Sequence, residues 1–335
     1  MSQDIRLSVD AMGGDQGPRL SVAAAVSFLT SYSDTSIQLF GKQPEIEQCL
    51  SEYTLAVNVS ERLSIQHADD VIDMGEKPAK ALRQKQASSM WLSLNALAQN
   101  QADACVSAGN TGALMALGRH LVKSIEGIDR PAICKPMPTA KQTSFLLDLG
   151  ANLECSAEQL LQFALMGSAL AKVDGRPQPS VALLNVGSEQ TKGSEEVQKA
   201  AELMRANEHL DFYGFIEGDD LYSGKVDVIV CDGFIGNVAL KVSEGLAKFV
   251  FKSLQEYVHS SLLRKLVAFL VAPLFRAWSN KFNPSNYNGA ILLGLKKIVV
   301  KSHGGASVSG FHQALEIARE QVVSNIPSQI ESCLR

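Results

Sequence analysis

The chain has 335 residues, 46% of them hydrophobic and 20% charged, with a formal net charge of −4. That length suits one large α/β domain or two smaller ones. The composition is that of a globular protein rather than a disordered or polytopic membrane one, and the charge argues against nucleic acid as a partner. Any anion site must be built locally.

Short apolar runs alternate with helical periodicity along the chain. RLSVDA (6–11) predicts a first strand, and helical spacing follows over 18–31. Further strands are predicted at 36–41, 63–68, 103–109, 143–150, 180–187, 211–216 and 226–233, and further helices at 78–99, 111–125, 156–172, 194–207, 236–258 and 306–325. Near-continuous apolar strands separated by helices indicate a parallel sheet covered on both faces. The expected fold class is α/β: a Rossmann-like α/β/α sandwich with a mostly parallel sheet, taken as one domain over 1–335. The six cysteines form no C-x-x-C pair, and several sit inside apolar runs. They read as buried thiols of a reducing compartment. MSQDIRLSVD has no apolar signal core, so a cytoplasmic protein is expected.

Several predicted strands end in a polar, glycine-bearing turn: VDAMGGDQGP, VSAGNTGA, LDLGAN, LNVGSEQTKGS and VCDGFIGN. The first is neither a dinucleotide fingerprint nor a Walker loop. Ligands of open α/β sheets bind beyond the carboxyl ends of the strands, and helix N-termini there favour phosphate. One such turn is an ordinary βα loop; five are expected to form a site along one sheet edge. Lys192 in NVGSEQTKGS has the setting of a phosphate clamp or of a solvated loop lysine. Asn237 in DGFIGN is placed to donate to an oxyanion or to cap the helix that follows. Ser107, Asn110 and Thr111 offer hydroxyl and amide groups at another turn, and Lys135, Thr139 and Lys141 belong to a proline-rich polar loop. Asp10, Asp15, Asp148 and Asp232 end strands, where they orient donors or cap helices; no carboxylate cluster has metal-ligand spacing, so no metal is expected. Gly13 and Gly14 are expected to bring backbone close to the substrate edge. His303, in KSHGGAS, is followed by glycines near a helix start. No G-x-S-x-G elbow, H-E-x-x-H or evident nucleophilic cysteine is present. The pattern predicts a site that positions anions while a substrate supplies the nucleophile.

From Tyr257 to Leu315 there is no Asp or Glu, while Arg264, Lys265, Arg276, Lys281, Lys296, Lys297 and Lys301 lie in the same window. Leu263, Leu266, Phe269, Leu270, Phe275 and Trp278 surround the basic stripe. The segment is too short to span a bilayer. It predicts a protruding amphipathic element over 257–289, an interfacial helix or a hairpin broken at Pro273, with a core helix or dimer interface as the other readings.

Taken together, VDAMGGDQGP, SAGNTGALMA, KPMPT, LLDLGAN, LLNVGSEQTKGSE, GFIEGDDL, CDGFIGNVALKVSEG and SHGGA resemble the bacterial phosphate acyltransferase (PlsX) family from about residue 7 to 325. The resemblance implies an enzyme that forms acyl phosphate from long-chain acyl-acyl carrier protein and inorganic phosphate, feeding phospholipid synthesis. It implies a homodimeric sandwich related to phosphotransacetylases, bound peripherally at the inner face of the cell membrane. The product would pass to a downstream membrane glycerol-phosphate acyltransferase. Lys192 and Asn237 match the positions expected to be catalytic. Asp10, Gly13, Gly14, Asp15, Ser107, Asn110, Thr111, Asp232 and His303 are expected to bind substrate. Thioester and acyl phosphate are both activated, so no cofactor is required. Residues 262–278 are expected at the membrane, and Lys296 and Lys297 at the acidic carrier. A phosphotransacetylase acting on short acyl-CoA and a membrane-associated scaffold are the competing readings.

Overall fold

In a computed structural model, which describes residues 4–280 and 284–334, eleven strands form one sheet. The strands are β1 (Ile5–Asp10), β2 (Thr35–Gly41), β3 (Leu63–His67), β4 (Ala104–Ser107), β5 (Ala132–Met137), β6 (Ser144–Leu147), β7 (Ser180–Leu184), β8 (Asp211–Ile216), β9 (Val228–Val230), β10 (Ala290–Leu293) and β11 (Ile298–Lys301). The helices are α1 (Pro18–Ser31), α2 (Gln43–Leu50), α3 (Val57–Ser60), α4 (Pro78–Gln84), α5 (Ser89–Ala98), α6 (Thr111–Leu121), α7 (Ala157–Val173), α8 (Glu195–Ala206), α9 (Gly233–His259), α10 (Leu262–Asn280), α11 (Val308–Ser324) and α12 (Ile326–Leu334).

The strand order is β3-β2-β1-β4-β11-β10-β5-β6-β9-β7-β8. The α/β expectation holds, with a division that periodicity did not reveal. β3, β2, β1, β4 and β11 are mutually parallel, and so are β6, β9, β7 and β8. Between these blocks β10 is antiparallel to β11 and β5, and β5 is antiparallel to β6. Three reversals make the two blocks point in opposite directions. The five glycine-bearing turns therefore do not share one edge, as the sequence suggested. The turns after β1 and β4 leave one edge; those after β6, β7 and β9 leave the other.

Side chains alternate across the sheet because strand periodicity is two. Leu7, Val9, Val106, Leu147, Val230 and Val300 share one core with Phe28 of α1, Phe163 of α7 and Phe311 of α11. Cys105, Ile133, Leu146, Ile229, Leu292 and Val299 face the other side, against Leu94 of α5 and Leu114 and Leu117 of α6. Buried thiols occupy both cores, as at Cys134 and Cys105.

All eight predicted strands are present, and β5, β10 and β11 are additional. The first is interrupted chemically by Lys135 and Pro136, which made it read as a polar loop. The other two lie in the acid-free basic tract of residues 257–315, just beyond the segment 257–289 expected to protrude. The helical stretch 78–99 divides into α4 and α5, because Ser88 caps α5 by accepting from Trp91 N at 3.3 Å. α10 runs through Pro273 rather than breaking there. The reversal falls at Ser260–Ser261, where Arg264 donates to Ser260 Oγ at 2.6 Å and lies 3.9 Å from the centre of the Tyr257 ring. Within α9 only Gly233 and Gly236 are buried, so most of this helix stands away from the sheet, with α10 laid against it. Among the described residues, no helix is long and apolar enough to cross a membrane.

Two glycines of α9 report how it is anchored. A Cβ at Gly236 would overlap the Asp148 carbonyl oxygen, whereas one at Gly245 would meet nothing within 4 Å. Gly236→Ala is expected to cost about 1–3 kcal/mol by overpacking, and Gly245→Ala to stabilise by about 0.5–1 kcal/mol. Urea unfolding of both variants checks this; equal effects would contradict the anchoring at Gly236.

Candidate active site

The opening glycines serve the packing of one turn on another. A Cβ at Gly13 would lie 2.5 Å from Gly109 N, and one at Gly14 (φ 87°) 2.8 Å from Gly304 O. Asp15 N donates to Gly304 O at 2.9 Å. The turns after β1, β4 and β11 are thus locked together, and Gly13 and Gly14 approach neighbouring backbone rather than the cavity described below. Asp10 sits beneath them, fully enclosed, accepting from Ser89 Oγ and Ser107 Oγ at 2.6 Å each. Burial raises its pKa, against the pull of those hydroxyls. Ser107 Oγ also accepts from Gly109 N at 3.0 Å. Asn110 caps α6 by accepting from Ala113 N at 3.0 Å, while its amide donates to the Asp73, Met74 and Glu76 carbonyls. Asp10, Ser107 and Asn110 consequently shape this half of the site from behind.

The other half is held by Asp148, which accepts from the backbone N–H groups of Ile133, Ala151 and Asn152 at 2.8, 3.2 and 2.7 Å. Asp232 caps α9, accepting from Ile235 N at 2.8 Å. That settles the alternative posed by DGFIGN: the cap is Asp232, and Asn237 lies in the second turn. Its exposed side chain stands above Gly150, with no hydrogen bond to its amide among the described residues.

Between the halves, on the α6 and α9 side of the sheet, lies a cavity of about 490 Å³. It collects Asp15, Thr111, Asn237 and His303, four of the residues singled out in the sequence. It also collects Lys135, Lys241, Glu244, Asn288 and Lys301. The central strands form its floor. Lys301 pairs with Ala290 across β11 and β10, and the next rung pairs Ile291 with Cys134 of β5. Lys301, Ala290 and Lys135 therefore follow one another across three strands on the same face.

Lys301 is 8% exposed, and its ammonium donates to the carbonyls of Ala108, at 3.2 Å, and of Ser302. Burial pushes its pKa down to about 8, with Asp10 opposing. Burial also lowers that of Lys135. Lys241 is paired with Glu244 at 2.9 Å. His303 Nδ1 accepts from Gly305 N at 3.0 Å, which leaves the ring proton on Nε2. Burial, then Lys241, lowers the His303 pKa, so the ring is a neutral donor at pH 7. The cavity is rich in donors and has no evident nucleophile. Burial pushes the Cys105 and Cys155 thiols up to about 12 and raises those of Cys134 and Cys231. Among the described residues, no His, Cys, Asp and Glu group has the arrangement to hold a metal.

Other predicted residues lie elsewhere. Lys192 is exposed on the loop after β7, outside the cavity lining, although that loop leaves the same edge as the Gly150 and Asp232 turns. Lys296 and Lys297 occupy the β10–β11 turn, at the far end of β11 from Lys301, and Lys297 donates to Asn100 Oδ1. Leu263, Leu266 and Phe269 are exposed on α10; the side chains of Leu270, Phe275 and Trp278 lie outside the described residues. A second cavity of about 390 Å³, beside Phe145 and Glu320 on the opposite face, has no lysine or arginine in its lining among the described residues. Lys241, Glu244 and Asn288 were not singled out in the sequence. Lys135 and Lys301 were noticed only as members of a loop and of a basic tract; the alternation in AICKPM and in IVVK was the available signal.

The opposed parallel blocks around the donor-lined cleft make an α/β fold that the chain shares with phosphotransacetylases. A phosphotransacetylase from Streptococcus pyogenes superposes with a TM-score of 0.66 at 17% identity, over 96% of this chain and 94% of that one. EutD phosphotransacetylase from Staphylococcus aureus gives a TM-score of 0.62 at 16% identity, over 95% and 94%. A family model described as fatty acid synthesis protein matches residues 5–329. Proteins named phosphate acyltransferase from Saccharophagus degradans and Teredinibacter turnerae are 56% and 54% identical over 334 residues, 100% of this chain and 97% and 100% of theirs. The chain belongs to the phosphate acyltransferase family and is an enzyme.

The buried Lys301 gives stability a pH dependence. Its folded pKa of about 8 lies below the ordinary 10.5, so between those values the unfolded chain holds a proton that the folded chain has lost. Stability therefore rises with pH across that window. In phosphate-free buffer, wild type should gain stability relative to Lys301→Met between about pH 7 and about pH 9.5. A constant difference in urea midpoints would contradict a depressed Lys301.

Proposed function

We propose that the chain transfers a long acyl group from acyl carrier protein to inorganic phosphate. The observation that carries this reading is the cavity itself: ammonium groups, a neutral imidazole N–H and an unengaged amide converge where no nucleophile is evident. Phosphate is then both the bound anion and the attacking group. One of its oxygens adds to the thioester carbonyl, the C–S bond breaks, and the phosphate proton passes to the departing thiolate. Acyl phosphate and free thiol result, and atoms balance without ATP or a cofactor. Holding both reactants in one cleft supplies the proximity advantage. Asn237 donates from its amide to the oxyanion of the tetrahedral intermediate, from a position fixed by Asp232 at the helix start and Gly150 beneath it. Lys192, which matches the family motif, meets the incoming phosphate from its exposed loop.

The α9–α10 pair gives the reaction its place in this reading. A groove of about 700 Å³ between the helices is lined by Leu254, Tyr257, Val258, Leu263 and Val267, with Arg264 beside them. Leu266 and Phe269 are 58% and 76% exposed on the same helix pair. Apolar side chains with Arg264 and Lys265 on α10, and with Glu256 of α9 paired to Lys252, favour an anionic bilayer surface. There the product reaches a membrane glycerol-phosphate acyltransferase, and the chain works as a homodimer. The short acyl-CoA reading shares the fold; the unpartnered apolar helices favour the long-chain carrier donor over it.

The reaction is tested by mixing purified protein with palmitoyl-acyl carrier protein and phosphate, without ATP, and trapping acyl phosphate with hydroxylamine. Phosphate-dependent hydroxamate is expected, falling about 10²–10³-fold in Asn237→Ala, whose exposed position leaves the fold intact, and falling also in Lys192→Ala. Transfer from acetyl-CoA alone would establish the competing reading. Replacing Leu266 and Phe269 together by Glu should abolish binding to anionic liposomes while leaving the soluble assay active; unchanged liposome binding would refute the membrane role.

A further inference from the structure

The floor of the cavity carries a charge arrangement that the reaction alone does not demand. Among the described residues, neither Lys301 nor Lys135 has a carboxylate within ion-pairing distance, in contrast to Lys241 with Glu244 at 2.9 Å. Asp10, near Lys301, is already held by Ser89 and Ser107. Desolvated ammonium groups without a counter-ion are costly. Lys301 is nearly enclosed and Lys135 half-buried, and both line the same cavity. An ammonium has three donors, and Lys301 commits two of them to carbonyls. Its third remains for a ligand. The two lysines stand two strands apart, about 10 Å between Cα atoms, with only the methyl group of Ala290 between them on that face. Long side chains flanking a short one leave room for a compact tetrahedral anion.

We propose that inorganic phosphate is seated on this floor between Lys301 and Lys135, over Ala290, with His303 donating to it from Nε2. The assignment rests on the acyl-phosphate reading for its use but not for its existence, since the seat binds phosphate without an acyl donor. It names phosphate-binding residues distinct from Lys192: Lys192 meets the anion outside, and Lys301 and Lys135 neutralise it inside. A dianion supplies the close counter-charge that Asp10 and Asp15 give Lys301, and Glu244 gives Lys135, only from beyond ion-pairing distance. In the other direction, the ammonium groups hold the nucleophile below Asn237.

The test is calorimetric titration of the full-length protein with inorganic phosphate alone, alongside the Michaelis constants for phosphate and for acyl carrier protein. Loss of one charge-assisted contact should weaken phosphate binding about 10- to 100-fold. Lys301→Met and, separately, the half-buried Lys135→Gln are expected to show this, with a matching rise in KM for phosphate and no change in KM for the carrier. Wild-type affinity should also fall as pH rises past about 8, where Lys301 loses its proton in the field of Asp10, Asp15 and Lys241, with Lys135, Glu244 and His303 lining the same cavity; Lys301→Met should lack that break. Should Lys301→Met fail to fold, Lys135→Gln decides the matter. Unchanged phosphate affinity in a folded variant overturns the seat while leaving the acyl-transfer reading standing. A rise only in KM for the carrier also overturns it, by assigning the lysines to the donor's phosphodiester. Phosphate binding that depends on both lysines, in a protein that makes no hydroxamate, upholds the seat and removes the reading above.

Discussion

The site depends on the antiparallel pairing of β10 with β11 and β5 in the middle of an otherwise parallel sheet. A parallel strand needs a crossover connection, usually a helix that covers one face. A strand joined by a tight turn, as β10 is to β11, brings no such cover. The two parallel blocks carry their helices, and the reversed strands between them leave one face open as a cleft. The same reversals turn the blocks head to tail, so loops from opposite sheet edges approach a common cavity across β10 and β5.

The cleft is made precise by backbone-to-backbone packing. Gly13 against Gly109, Gly14 against Gly304 and Gly236 against Asp148 leave no space for a Cβ at these crossings. Buried carboxylates then hold each cluster of turns: Asp10 through two hydroxyls, Asp148 through three backbone N–H groups. These acids spend their acceptor capacity inside the protein, away from the ligand. What remains pointing into the cavity is mostly donors, as electrostatic stabilisation of a reacting anion requires. The acidic second cavity on the opposite face shows that this polarity is local, in a chain whose net charge is negative.

Much of the fold was legible in the sequence because buried parallel strands are continuous apolar runs. RLSVDA, SVALLNVG and VDVIVCDG were readable in that way, and so were the glycine turns after them. β5, β10 and β11 were not, because their residues serve two masters. A strand that lines a polar cavity on one face alternates Ile133 with Lys135 and then meets Pro136, which breaks the apolar run. Lys301 ends IVVK and adjoins KSHGG, so it was counted with the basic tract. Asn237 and His303 were legible from turn chemistry. The function of Asp232 as a cap was legible only as one of two alternatives, since a cap and a ligand donor use the same residue types at the same place. Which turns face each other depended on strand direction, and local periodicity carries no direction.

In this account the protein supplies a shaped, donor-rich space, and phosphate supplies the chemistry. Intact-protein mass spectrometry after incubation with palmitoyl-acyl carrier protein tests that most directly. Without phosphate the chain should keep its unmodified mass and the thioester should persist; adding phosphate should release free carrier with the chain still unmodified. An acylated chain accumulating before phosphate is added would contradict the account, because it would place the nucleophile on the protein.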